Sequence, residues 1–157
     1  MKARTACFMV IILLAMHGLV LPGSKAEENF TNLARDILTN LQEFHPVNAT
    51  MMGVHKYDDR LTDYSPGNVE KQRRTLRKFL ARLYKYRSVR LPLDMDINRR
   101  LLRGNCEIAM LRLTEVDYHK INPNLYLNEA ADGLYYLISD DYTTLSERLD
   151  NIIKRMH

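Results

Sequence analysis

Apolar residues recur at three- and four-residue steps along most of the chain. Phe30, Leu33, Ile37, Leu41 and Phe44 form one stripe, which predicts a helix over about 28–44. His45-Pro46 ends it, because the residue before a proline avoids the helical region. Ser65-Pro66 opens the next helix, with the serine as cap and the proline at the first helical position. The inward face of that helix is Val69, Leu76, Phe79, Leu80 and Leu83. Ser88 to Pro92 reads as a linker. A third helix over about 95–116 is expected to turn Ile97, Leu101, Ile108, Leu111 and Leu113 inward. Asn122-Pro123-Asn124 is a break, and a short apolar helix follows over about 125–138, with Leu127, Ala130, Leu134 and Leu137. Thr144 caps the last helix, and Glu147 three residues on completes a capping box. No stretch alternates with the period of a strand. The predicted class is all-α: an antiparallel helical bundle of about five helices with short connections.

The first residues do not belong to that bundle. Lys2 and Arg4 precede an apolar run from Phe8 to Met16, Pro22-Gly23 breaks it, and Ser24 and Ala26 place small residues at −3 and −1 of a cut before Glu27. This is the three-part pattern of a secretory signal peptide. A spanning helix needs roughly 20 apolar residues, and His17, Gly18 and Pro22 interrupt this one. The division is therefore 1–26, a cleaved signal peptide, and 27–157, a helical region. The expected location is secreted or periplasmic.

Cleavage changes the charge. The full chain has 23 basic and 19 acidic residues, and losing Lys2, Arg4 and Lys25 leaves 20 against 19. A nearly neutral mature chain gives no footing for a nucleic-acid partner, and no membrane anchor remains once the signal is gone. The mature chain keeps one cysteine, Cys106, so it must rest on a core and not on disulfides. Cys106 lies on an apolar-rich helix, where a free cysteine behaves as a small hydrophobe.

Candidate chemistry is sparse. His45, His55, His119 and His157 never stand four apart, and no His-Glu-x-x-His occurs, so the helical zinc-peptidase signal is missing. No metal or other cofactor is expected in this chain. The acidic pairs Asp58/Asp59, Asp94/Asp96 and Asp140/Asp141 fall at loops or helix starts, where aspartate caps helices. Lys71, Arg73, Arg74, Arg77, Lys78, Arg82, Lys85 and Arg87 make the second helix basic. Such a helix is either a solvated, acid-paired face or a surface for anionic membranes or nucleic acid. Asn29 and Asn48 head sequons.

Between the first two helices runs HPVNATMMGVHKYDDRLTDYSP, His45 to Pro66. We read Val47 to Tyr64 as an ordered turn. Gly53 supplies a positive φ or a close approach, Met51, Met52 and Val54 fill the space between the helices, and Asp58 and Arg60 are available to each other or to neighbouring backbone groups. Pro46, Ala49, Thr50, Gly53, His55, Tyr57, Asp58, Arg60, Leu61 and Asp63 resemble the N-terminal signature of the domain-of-unknown-function 885 family. DINRRLLRGNCEIAMLRL resembles that family's third-helix segment, and the stretch from Asn122 to Met156 its Asn-Pro-x-x-Tyr and Glu-Arg-x-x-x-Ile/Leu region. The resemblance spans essentially the whole mature chain. It implies a helical protein of a mostly bacterial family whose members are secreted, lipoprotein or cytoplasmic, several times longer, and resemble zinc-dependent peptidases whose His-Glu-x-x-His motif lies far downstream.

The chain stops at Met156-His157 before such a motif. It is therefore expected to be a non-catalytic N-terminal part, or truncated member, of a larger helical fold, where it forms part of the substrate-cleft wall. His55, Tyr57, Asp58 and Arg60 are the candidate cleft-rim residues; no catalytic and no metal residue is assigned. Zinc is expected only in a full-length relative. The expected partner is the missing C-terminal region or a peptide. The alternative is a stand-alone helical secreted module that binds a peptide, a partner protein or an anionic membrane surface.

Overall fold

The computed structural model describes residues 24–156. Most of the signal-peptide reading, and His157, lie outside the described residues. Among them there are seven α-helices and no strand, so the all-α class holds. Five are long: α1 (Lys25–Phe44), α3 (Pro66–Lys85), α4 (Leu93–Thr114), α6 (Pro123–Ser139) and α7 (Leu145–Arg155). Two are short: α2 (Pro46–Met51) and α5 (Tyr118–Ile121). No helix among the described residues is long and apolar enough to cross a membrane.

The boundaries follow local chemistry. Ser24 accepts from the Glu27 amide and caps α1, and Glu27 and Glu28 lie in its first turn, where carboxylates complement the helix dipole. Ser65 sits before α3 but makes no side-chain cap bond. Instead Asp63 binds its amide and hydroxyl at 2.8 and 3.1 Å, a local turn that competes with capping. Asn122 accepts from Asn124 and caps α6. Thr144 and Glu147 form the expected box at α7: the Glu147 amide donates to Thr144 Oγ1 at 3.3 Å. Asp117 joins α4 to α5 in the left-handed region at φ 48°, which a short polar side chain tolerates. Its carboxylate is held by Arg73 and Lys120 at 3.0 and 2.7 Å.

The core lies between α1, α3 and α4. Phe30, Leu33 and Ile37 meet Leu76 and Leu83, with Leu102, Cys106 and Leu113 closing the third side. Each fully buried leucine contributes about 1.5–3 kcal/mol relative to an exposed one. The α6–α7 hairpin forms a second layer. It is joined to the first mainly through α2, which packs on both α1 and α6.

Two sequence expectations about packing are corrected. On α4 only Leu113 of the predicted inward set is buried; Ile97, Leu101, Ile108 and Leu111 are exposed. The helix carries two apolar stripes, and it is the Leu102–Cys106–Leu113 stripe, with Arg99, that faces the core. Likewise Met51 and Met52 are exposed, and Pro46, Val47, Ala49 and Thr50 fill the space beside α1 instead. Once Pro46 starts a helix of its own, a 3.6-residue period turns the methionines outward.

Candidate functional site

The residues from His45 to Pro66 fold as α2, a glycine turn, a 3₁₀ turn (His55–Tyr57) and an extended run into α3. Gly53 adopts φ 78°, the conformation expected of it. This reversal carries Asp58 back beneath Thr50. Asp58 is 2% exposed and is the centre of a buried polar network.

Thr50 Oγ1 donates to Asp58 Oδ1 at 2.6 Å. His55 Nδ1 lies 3.0 Å from Asp58 Oδ2, and the Tyr142 hydroxyl donates to that same oxygen. The His55 and Tyr142 rings stack in parallel, with centroids 3.4 Å apart. Burial, then the bond to Asp58, pushes the Tyr142 phenol up to about 12, so it stays protonated and donates. From α7, Arg155 reaches in with a fully buried side chain. Its Nη2 donates to Thr50 Oγ1 at 2.6 Å and lies 3.7 Å from Asp58 Oδ1, while Nη1 donates to the carbonyl of Gly133 on α6. Burial lowers the Arg155 pKa and Asp58 opposes that shift; a guanidinium remains charged regardless. The Thr50 hydroxyl thus relays between cation and anion, accepting from one and donating to the other.

Close approach of α6 makes this contact possible. A Cβ on Gly133 would lie 2.8 Å from Leu61 Cδ2 and 3.2 Å from Val47 Cγ2. A second tie runs beside it: the Thr62 amide donates to Glu129 Oε1 on α6 at 2.8 Å. The network therefore fastens α2 and the 3₁₀ turn to the α6–α7 hairpin.

The structure brings together only part of the predicted set. Asp58 and His55 are joined directly. Tyr57 is buried next to them. Arg60 does not pair with Asp58, as the sequence reading allowed; it turns out and binds Asp59 Oδ1 at 2.8 Å. A buried carboxylate is better matched by a buried cation than by one at the surface, and Arg155 is that cation. Sequence reasoning missed Arg155, Tyr142 and Gly133. The basic face of α3 is partly neutralised: Arg73, Arg77 and Arg82 pair with Glu70, Asp117 and Asp36.

With both carboxylate oxygens engaged, Asp58 is poorly placed to act as a base on a bound substrate. Among the described residues no three His, Cys, Asp or Glu side chains converge as metal ligands. His55 and Asp58 would supply two ligands, but Arg155 stands beside them, so a zinc ion does not fit this site.

The outer surface of the hairpin is unusual. α7 buries its arginines and exposes its apolar side. Arg148 donates to the carbonyls of Ile138 and Asp140 at 3.1 and 3.0 Å, whereas Leu145, Leu149, Ile153 and Met156 are 47–70% exposed. On α6, Leu127, Tyr135 and Ile138 are also exposed.

A family model described as "Bacterial protein of unknown function (DUF885)" matches residues 46–157, which include every residue of the network. No curated protein and no solved structure matches the chain.

Proposed function

Since the chain belongs to the DUF885 family, we propose that it is a non-catalytic helical wall of a larger peptidase-like fold. The observation that carries this reading is the inverted amphipathicity of α7. A helix that turns charge inward and leucines outward has its apolar stripe ready for a further layer. The helical remainder of the family fold is the proposed occupant, and zinc belongs to that remainder. In this reading His55, Tyr57, Asp58 and Arg60 shape the rim of the substrate cleft by holding order, not by touching the reacting bond. On the same reading the chain is exported, cut after Ala26, and works in a secreted or periplasmic setting; the motive is the charged start, the apolar run and the small-residue cut site.

The test is Leu149→Asp with Ile153→Asp, made here and at the matching positions of a longer family member. This chain should keep its helicity and melting temperature, while the longer protein loses stability and peptide hydrolysis together. Unfolding of this chain, or an unaffected longer protein, would overturn the reading.

A further inference from the structure

A cavity of about 490 Å³ opens between α1, α2, α4 and α5, away from the Asp58 network. We propose that it binds an apolar monocarboxylate: an aromatic or branched aliphatic body carrying one carboxylate. The volume is in the range of small-molecule sites, roughly 300–1,000 Å³.

The body of the ligand is specified by the walls. Leu41, Phe44, Ala109 and Leu113 line it, and an aromatic cluster stiffens one side. Tyr64 packs edge-on to Phe44 at 6.1 Å and parallel to His119 at 6.0 Å. Such surfaces favour a flat or branched hydrocarbon.

The charged end is specified by what the lining contains. Arg112 is its one lysine or arginine, and no aspartate or glutamate lines the cavity. Arg112 lies over the Tyr118 ring, 5.8 Å from its centroid, and forms no ion pair among the described residues. Glu129, whose charge is felt at His45, is committed to Thr62. A guanidinium with a free fork matches a carboxylate.

A second observation points to a ligand. His119 is 7% exposed, and its Nδ1 is buried with no hydrogen-bond partner. An orphaned buried nitrogen costs about 1–3 kcal/mol, and the ring that carries it is part of the cavity wall beside Arg112. His45, also on the wall, is held towards its neutral form by burial, so it adds polarity without a second fixed charge.

The same chemistry has two sources, a free organic acid or the C-terminus of a peptide ending in an apolar residue. Calorimetric titration of the purified chain separates them with 4-phenylbutyrate, 4-phenylbutylamine, and the peptide Ala-Ala-Phe with free and with amidated terminus. At least one acid should bind with a dissociation constant of about 0.1–1 mM, and the tighter of the two identifies the source. The amine and the amide should bind about tenfold more weakly or not at all. Arg112→Gln should weaken the acid about tenfold, and Arg112→Lys, which keeps the charge but loses the fork and the stacking on Tyr118, should weaken it by an intermediate amount, about three- to fivefold. Leu38→Trp, a half-exposed wall position filled by a larger ring, should block binding with the fold intact by circular dichroism. The proposal is overturned if neither acid binds at about 10 mM, if amine or amide binds as well as acid, or if a folded Arg112→Gln binds unchanged. None of these outcomes depends on whether α7 packs against a larger fold.

Discussion

Replacing Asp58 by asparagine keeps the shape of the side chain and removes its charge. In the folded protein Asp58 is 2% exposed, and a fully buried Arg155 guanidinium lies 3.7 Å away with the Thr50 hydroxyl relaying between them. The variant leaves that guanidinium in the interior without its counter-charge. Breaking a buried pair from one side costs about 3–5 kcal/mol. Mispairing of the new amide with Tyr142 or Thr50, both donors to Asp58, adds to the loss. Against a typical total of about 5–15 kcal/mol, this is about a fifth or more of the stability. The assay is urea denaturation followed by far-ultraviolet circular dichroism, with the slope compared to confirm that the unfolded reference is unchanged. A cycle with Arg155→Met then isolates the pair. Arg155→Met alone should also cost about 3–5 kcal/mol, and the double variant should fall short of the sum by at least about 1 kcal/mol. A cost under about 1 kcal/mol for Asp58→Asn, or strict additivity in the cycle, would refute the claim that this network fastens the two layers.

Burial lowers the His45 pKa in the folded chain below its ordinary 6.5. Its share of stability is therefore complete above that value and is lost as pH falls through the lowered folded pKa, so unfolding midpoints should decline below about pH 6.5; His45→Phe should remove that component, and an unchanged decline would count against it. Burial pushes the Cys106 thiol up to about 11, so it should resist a thiol-reactive dye at pH 8 until the protein unfolds; prompt labelling of the native chain contradicts this. Gly53 holds φ 78° with open space around it, so Gly53→Ala should cost about 1 kcal/mol through backbone strain alone, and a stabilising change in the urea midpoint would show that the turn does not need glycine.

Helix positions were legible because caps and prolines act locally. Thr144 with Glu147 and Asn122-Pro123 mark their boundaries within a turn of chain. The face of α4 was not legible. Its apolar residues fall on two stripes, and periodicity cannot say which of two apolar stripes meets the core. Hydrophobic burial there competes with Arg99, which is buried beside its Asp96 partner at 2.6 Å. The opening motif was found as a unit, and Gly53 was assigned its role correctly. The partner of Asp58 was not found, because Arg155 and Thr50 are 105 positions apart and nothing local pairs them. Arg60, two residues from Asp58, was the nearer cation by sequence and the wrong one by burial. The charge-inward setting of α7 is hidden for a related reason. Its pattern is strongly amphipathic, and amphipathicity alone assigns the apolar side to a core. In this structure that side is uncovered.

The most direct measurement of the wall reading is hydroxyl-radical footprinting of this chain and of a longer family member, read by mass spectrometry at the positions of Leu145, Leu149, Ile153 and Met156. The account predicts rapid oxidation here, where Met156 is 70% exposed, and strong protection at the matching positions of the longer protein. Equal oxidation in both would contradict it.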